Sequence, residues 1–354
     1  MDAQSEKKVT INQVASYCGV SKTTISRFLN GKYENMSAET KEKISAAVKA
    51  LNYHPDRSAQ RLKASRTMLI GCVIGDIGSP FSALLLKGIT SVCEESGYQV
   101  LFADSHESAR REKRALRGFL DNRVDGLIVN TCGSNDEYLL ELQERGIPLV
   151  LADRPLMEPG LIDTVCSRNQ ENAAECTRLL LSQGYEHVAF FSETIAKIAP
   201  RELRCKGYAE TVIENGAVPE IYEIDCDHPN SCVDSLRDFL GKHNGERIAV
   251  LSANGTTTQR ILTAMKFLGI KAGAELGLCT FDDWDWLQIA DPGITAVALS
   301  TGEIGARAAR LLLDRINGSA AETPAEEIVP SSIIIRESTT AGAAKKKRKS
   351  ENSE

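Results

Sequence analysis

The sequence predicts a small all-α head followed by a larger α/β body of parallel sheets in two lobes. Three observations predict this. Up to residue 66 the apolar positions recur at helical spacing only. From Leu69 onward, strand-sized apolar runs alternate with helix-sized stretches, the pattern of parallel sheets with helices on both faces. Charge divides at the same place. Residues 1–66 hold 12 Lys and Arg against 6 Asp and Glu, residues 341–354 hold 5 against 2, and the stretch between holds 25 against 40. A basic head on an acidic body suggests that the head meets a polyanion and the body does not.

In the head, "VTINQVASYCGVSKTTISRFLNGK" reads as two short helices around a tight turn. Thr10 is placed as an N-cap with Gln13 three residues on, a capping box. Ile11, Val14 and Ala15 share one face, and Cys18-Gly19-Val20 makes the turn. Ser21 caps a second helix whose Ile25, Phe28 and Leu29 face inward, leaving Lys22, Thr23, Ser26 and Arg27 outward. Ser37 opens a third helix, with Ile44, Val48 and Leu51 closing the core. This is a helix-turn-helix pattern, whose second helix can lie in the major groove of DNA. A small helical bundle with a solvated charged face fits the same spacing.

The stretch "VKALNYHPDRSAQRLK" follows directly. Together with the first motif and the body, it resembles the LacI family of bacterial transcription regulators, over nearly the whole chain to about residue 338. The resemblance divides the chain into a DNA-binding domain (1–54), a hinge helix and linker (55–66), a two-lobed, periplasmic-binding-protein-like effector and dimerisation domain (67–338) and a basic tail (339–354). It implies base reading by Lys22 and Thr23, and base or backbone contact by Arg27. It implies phosphate contacts from Ser21, Thr24 and Asn30, and minor-groove entry by Ala59, Gln60 and Leu62, with Leu62 as the apolar wedge. Thr10 and Ser26 complete the set expected to face DNA. Asp56 departs from the family's usual Asn, which puts a phosphate contact there in doubt. A wedge at a two-fold axis needs its mate, so a homodimer on a near-palindromic double-stranded operator is expected.

In the body the predicted strands are "LIGCVI", "QVLFA", "DGLIVN", "IPLVLA", "HVAFF", "RIAVLS" and "LGLCTF". Helices are predicted over stretches such as Phe81–Ser96, Asn135–Arg145, Asn169–Gln183, Leu203–Asn215, Thr256–Leu268 and Glu303–Ile316. Gly97, Gly146, Gly184, Gly216 and Gly269 stand at helix C-terminal positions. Open parallel sheets bind ligands beyond the carboxyl ends of their strands. There stand Asp76, Ser79 and Phe81; Asp104; Asn130 and Thr131; and Asp153 and Arg154. In the second half stand Ser192, with Lys197, Arg201 and Arg204 nearby; Asn254; and Asp282. Singly, each carboxylate there is as well explained as a strand-end or helix cap; jointly they outline a cleft for a hydroxylated ligand. The resemblance matches Ser79 and Phe81 approximately, and Asp153, Arg204, Asn254 and Asp282 more closely, to effector contacts. Of the two tryptophans in "FDDWDW", Trp284 is expected to reach the ligand and Trp286 to pack beneath.

The family commonly has Asn-Asp where this chain has Asn254-Gly255, followed by three threonines. Loss of a cleft carboxylate, a helix N-terminus and the Arg204 fork together favour an acidic sugar derivative. "SANGTTTQ" and "FDDWDW" also resemble family members that sense 2-keto-3-deoxygluconate in pectin and hexuronate breakdown. A neutral sugar, a purine or a phosphoprotein partner stays open as the signal.

Other classes fit poorly. No G-x-S-x-G, P-loop or H-E-x-x-H motif occurs, and the five histidines show no cluster along the chain. No catalytic residue, cofactor or metal is expected. The ten cysteines are scattered without C-x-x-C or zinc spacing and read as buried reduced thiols. No apolar run reaches membrane-spanning length and no signal peptide is visible at the N-terminus, so a cytoplasmic, nucleoid-associated protein is expected. The tail has no leucine heptads, which leaves a dimer as the default.

Overall fold

The computed structural model describes residues 9–29, 33, 36–53, 66–225, 227, 228 and 230–340. Its contacts divide the chain into two units, Met1–Thr67 and Met68–Glu354.

The first unit holds α1 (Ile11–Cys18), α2 (Lys22–Leu29) and α3 (Ala38–Ala50). The capping box forms: the Gln13 N–H donates to the Thr10 hydroxyl, and the Thr10 N–H donates to Gln13 Oε1 at 2.7 Å. Gly19 ends α1 at φ +64°, a left-handed position that costs glycine nothing. Ser21 and Ser37 each accept the N–H of the residue three places on, at 3.1 and 3.2 Å, which starts α2 and α3. Val14, Ala15, Cys18, Ile25, Ile44, Ala47 and Tyr53 form the core.

The second unit has two lobes. The first begins with β1 (Leu69–Ile74), α4 (Pro80–Glu95), β2 (Gln99–Asp104), α5 (Ala109–Asp121), β3 (Gly126–Val129), α6 (Asp136–Glu144), β4 (Leu149–Ala152) and β5 (Asp163–Ser167). The second holds α7 (Asn169–Ser182), β6 (His187–Ser192), α8 (Ala199–Glu214), β7 (Glu220–Glu223), α9 (Ser231–Lys242) and β8 (Ile248–Ser252). It continues with α10 (Gly255–Leu268), β9 (Gly277–Phe281), α11 (Asp285–Ile289) and β10 (Thr295–Leu299). The chain then returns through α12 (Thr301–Asn317) and β11 (Glu326–Val329) to the first lobe, and ends with β12 (Ser331–Ile334) in the second.

The sheets run β11-β5-β4-β3-β1-β2 and β12-β10-β9-β8-β6-β7. The pairings are parallel, as expected, with one antiparallel edge where β10 meets β12. Three crossings join the lobes, with Arg168, Ser300 and Pro330 each the single residue between flanking elements. Central strands such as β1 and β8 are buried throughout and read as unbroken apolar runs. In the first lobe α4 and α12 pack on one face of the sheet, around Ile70, Leu85, Ile89 and Leu312.

All seven predicted strands are present; β5, β7, β10, β11 and β12 were not foreseen. Among the described residues nine cysteines are free thiols, eight of them buried. Burial pushes the Cys72 and Cys132 thiols up to about 12, which keeps them inert. Among the described residues no helix is long and apolar enough to cross a membrane.

Candidate functional site

The carboxyl ends of strands from both lobes meet around a cavity of about 110 Å³, room for several water molecules. Asp76, Ser79, Phe81, Asn130, Asp153, Arg204, Asn254 and Asp282 all line it. Ser79 is the N-cap residue of α4, and its side chain makes no capping bond. Asn130 donates from Nδ2 to the Ala152 carbonyl at 2.9 Å. Sequence reasoning missed Glu107 and Glu193, which also line the cavity; it placed Arg154 at a strand end and Arg201 nearby without giving either a ligand contact.

Five carboxylates and three arginines face this space, and their pairing decides what is left for a ligand. Arg154 grips Glu107 through two bonds of 2.7 Å and donates to the Thr131 carbonyl at 2.9 Å. Burial alone would raise the Glu107 carboxyl, but Arg154 holds it below the usual range. Arg201 pairs with Glu193, and Asn254 Nδ2 donates to the same Glu193 oxygen at 3.0 Å. The first pair joins two separate loops, the second closes the single β6–α8 connection, and each spends one cation.

Arg204 remains. It is 4 % exposed and rises from α8, whose Gly207 lies so close to α7 that a Cβ there would sit 2.0 Å from the Gln170 carbonyl. Its Nε donates to Asn169 Oδ1 at 2.8 Å and its Nη1 to the Ala253 carbonyl at 2.7 Å. The guanidinium lies over the Phe281 ring, 4.1 Å from its centroid. Nη2 makes no hydrogen bond within the described chain. The charges that act on Arg204 most are Asp282 and Asp153, both left-handed in backbone (φ +68° and +70°) and both buried. Burial pushes the Asp153 carboxyl up to about 6, against the pull of Arg204 and Arg154. Its Oδ1 is buried without a partner. Burial also raises Asp282, opposed by Arg204 and by the Gly255 N–H.

Two expectations fail here. The first amide of α10 is not open to an anion: the Gly255 N–H donates to Asp282 Oδ2 at 3.1 Å, and the Thr257 N–H to Asn254 Oδ1 at 2.8 Å. The chain's own groups satisfy these donors, and Thr258 is turned inward onto Ser252 and Thr280; of the three threonines, Thr256 alone lines the cavity. Trp284 does not line the cavity. It is 6 % exposed and covers Gly255, where a Cβ would lie 2.6 Å from the indole. Asp283 is also structural, forked onto Arg336 at 2.6 and 2.9 Å.

Other strand-end residues do local work. Asp104 accepts the N–H groups of Ile77 and His106. Thr131 bonds to buried Glu112, and Ser192 is buried.

In the first unit, Ser21, Lys22, Thr23 and Arg27 are exposed, while Thr24 and Ser26 are half-buried. The Ser21 and Thr24 hydroxyls bond to each other at 2.9 Å. Asn30, Ala59, Gln60 and Leu62 lie outside the described residues.

The signature described as "Bacterial regulatory proteins, lacI family" matches residues 10–56, and "Periplasmic binding protein-like domain" matches 177–339. The HTH-type transcriptional regulator KdgR of Bacillus subtilis is 34 % identical over 90 % of this chain and 94 % of its own. The chain belongs to the LacI family. The HTH-type transcriptional regulator PtxS of Pseudomonas plecoglossicida is 32 % identical over 92 % of this chain and 94 % of its own. The Lac repressor dimer bound to operator and the anti-inducer ONPF superposes with a TM-score of 0.82 at 25 % identity, covering 94 % of this chain and 99 % of that one. The CelR–cellobiose complex superposes at 0.67 with 26 % identity, covering 94 % and 100 %. As a LacI-family member this chain is a ligand-responsive, DNA-binding transcription regulator rather than an enzyme. Proteins of the LacI family bind operators and small effectors as dimers.

Proposed function

We propose that the chain is a repressor of carbohydrate breakdown whose cleft takes a small sugar acid such as 2-keto-3-deoxygluconate. The observation that carries this is Arg204, a buried guanidinium fixed through Nε and Nη1 with Nη2 unspent. It can take a carboxylate oxygen while Asp153 and Asp282 accept sugar hydroxyls. Lys22, Thr23 and Arg27 read the operator's bases. Ser21, Thr24 and Asn30 hold phosphates, with Thr10 and Ser26 beside them, and Ala59, Gln60 and Leu62 enter the minor groove of the paired half-sites. Domain limits of 1–54, 55–66 and 67–338 follow the same division of labour. Effector binding draws the two lobes together and lowers operator affinity, a coupling of roughly 1–3 kcal/mol.

A neutral sugar is the second reading, favoured by the excess of carboxylates over arginines in the cleft. Calorimetric titration with a sugar acid and its uncharged parent sugar separates the two. Tighter binding of the acid, lost on Arg204→Gln, is the expected result; tighter binding of the neutral sugar overturns the proposal.

A further inference from the structure

The five histidines are scattered along the chain, yet folding brings two of them together. His187 opens β6 and His243 caps the C-terminus of α9. Their rings stack at 3.8 Å between centroids, tilted by 22°. Glu220, the first residue of β7, approaches His243 Nε2 at 2.6 Å. Glu246, just before β8, lies 2.9 Å from His187 Nε2 and 3.0 Å from His243 Nδ1. The cluster sits at the amino ends of β6 and β7, whereas the effector cleft lies beyond the carboxyl ends. The two sites are therefore at opposite edges of the second sheet.

The chemistry of this cluster asks for a cation. Both ring nitrogens of His243 face carboxylate oxygens, but a neutral imidazole has one N–H to donate. Its other nitrogen would then point a lone pair at a carboxylate at hydrogen-bond distance. A metal ion on that lone pair removes the conflict and turns the same groups into ligands. We propose that His187, His243 and Glu220 bind a divalent transition metal of the zinc type, with Glu246 beside them. Two imidazoles with a carboxylate are a zinc donor set, while calcium and magnesium prefer oxygen alone. The three donor atoms lie within 4.8 Å of one another and need to draw in to roughly 3.4 Å around a tetrahedral ion. The stacked rings, tilted by only 22°, must also turn so that one nitrogen of each points at the ion; the side chains of His187, His243 and Glu220 are 35 %, 14 % and 21 % exposed. A metal there ties the starts of β6 and β7 to the end of α9 and stiffens the second lobe.

The test uses the full chain, treated with EDTA and returned to chelator-free buffer. Zinc chloride is titrated in by calorimetry, and melting is followed with and without zinc. The expected result is one zinc per chain and a higher Tm. His187→Gln and Glu220→Gln should each weaken zinc binding by more than the roughly 10–100-fold that loss of an outer-shell partner costs, with Tm in EDTA unchanged. A second readout needs no variant: cobalt(II) bound to the wild-type chain should show d–d bands without a thiolate charge-transfer band. Failure of the wild type to bind zinc, unchanged affinity in both variants, or a thiolate band each overturns the site. Stabilisation by mild acid alone, without zinc binding, gives the cation's place to a proton on His243 and also overturns it.

Discussion

Gly133 and Lys197 meet across the cleft: a Cβ on Gly133 would sit 1.6 Å from the Lys197 carbonyl oxygen. Gly133 follows β3 in the first lobe, and Lys197 precedes α8 in the second. Both have left-handed backbones, φ +70° and +69°. An alanine at 133 collides with backbone rather than with a side chain that can swing away. It also pays the strain of a positive φ, about 1 kcal/mol. The collision is relieved when the lobes part, so Gly133→Ala disfavours the closed cleft. Effector affinity should fall roughly tenfold or more, about 1.4 kcal/mol. Calorimetry measures that loss, and operator binding without effector should be unchanged.

Arg204→Gln removes the buried charge while keeping some hydrogen-bonding capacity toward Asn169 and the Ala253 carbonyl. Induction should be abolished, with operator affinity within about twofold of wild type in a gel-shift or anisotropy assay. Because Asp153 and Asp282 then lose their counter-charge, some loss of stability is also expected, about 1–3 kcal/mol. A variant that still responds normally to sugar acids would remove the basis for an anion site.

Asp153 sets a pH dependence whose sign can be worked out. Its carboxyl is raised by burial to about 6 in the folded chain, above the ordinary unfolded value of about 3.9. The folded state therefore binds an extra proton between these values. The resulting stability is fully present below about pH 4 and is lost as pH rises through about 6, on the order of 3 kcal/mol. Asp153→Asn lacks this loss. Urea unfolding of both proteins at about pH 4 and about pH 7 should show the wild type losing more stability than the variant. The same group distinguishes ligands. An anion bound beside Asp153 raises its carboxyl further, so affinity for a sugar acid should weaken as pH rises through about 6. A neutral sugar donating to the ionised carboxylate should show the opposite trend.

On α2, Lys22 and Thr23 are exposed side by side in the first turn. Substituting either should change base preference at one operator position by about 1–3 kcal/mol. Binding measured against single-base operator variants checks this. A uniform loss across all sequences would assign these residues to phosphates instead.

The head, seven of the strands and eight residues of the cavity lining were legible because each depends on signals local in sequence. Caps, apolar periods and polar residues at strand ends are such signals. What was hidden depends on distant partners. The short strands β7 and β12 alternate in burial at sheet edges and carry too few apolar residues to announce themselves. "FDDWDW" misled because its residues serve different masters. Asp282 serves Gly255 and the cleft, Asp283 serves Arg336, and Trp284 covers Gly255. Glu107 and Glu193 were missed because their arginine partners stand 47 and 8 residues away. The His187–His243 pair was invisible for the same reason.

The central claim is that a sugar acid in this cleft releases the operator. The direct measurement is operator release from the full-length protein, followed by fluorescence anisotropy, against a panel of neutral sugars, sugar acids, sugar phosphates and purines. Release by sugar acids with 2-keto-3-deoxygluconate among the most potent, abolished by Arg204→Gln, is the predicted result. Release by a neutral sugar or a purine at lower concentration than any sugar acid would contradict it.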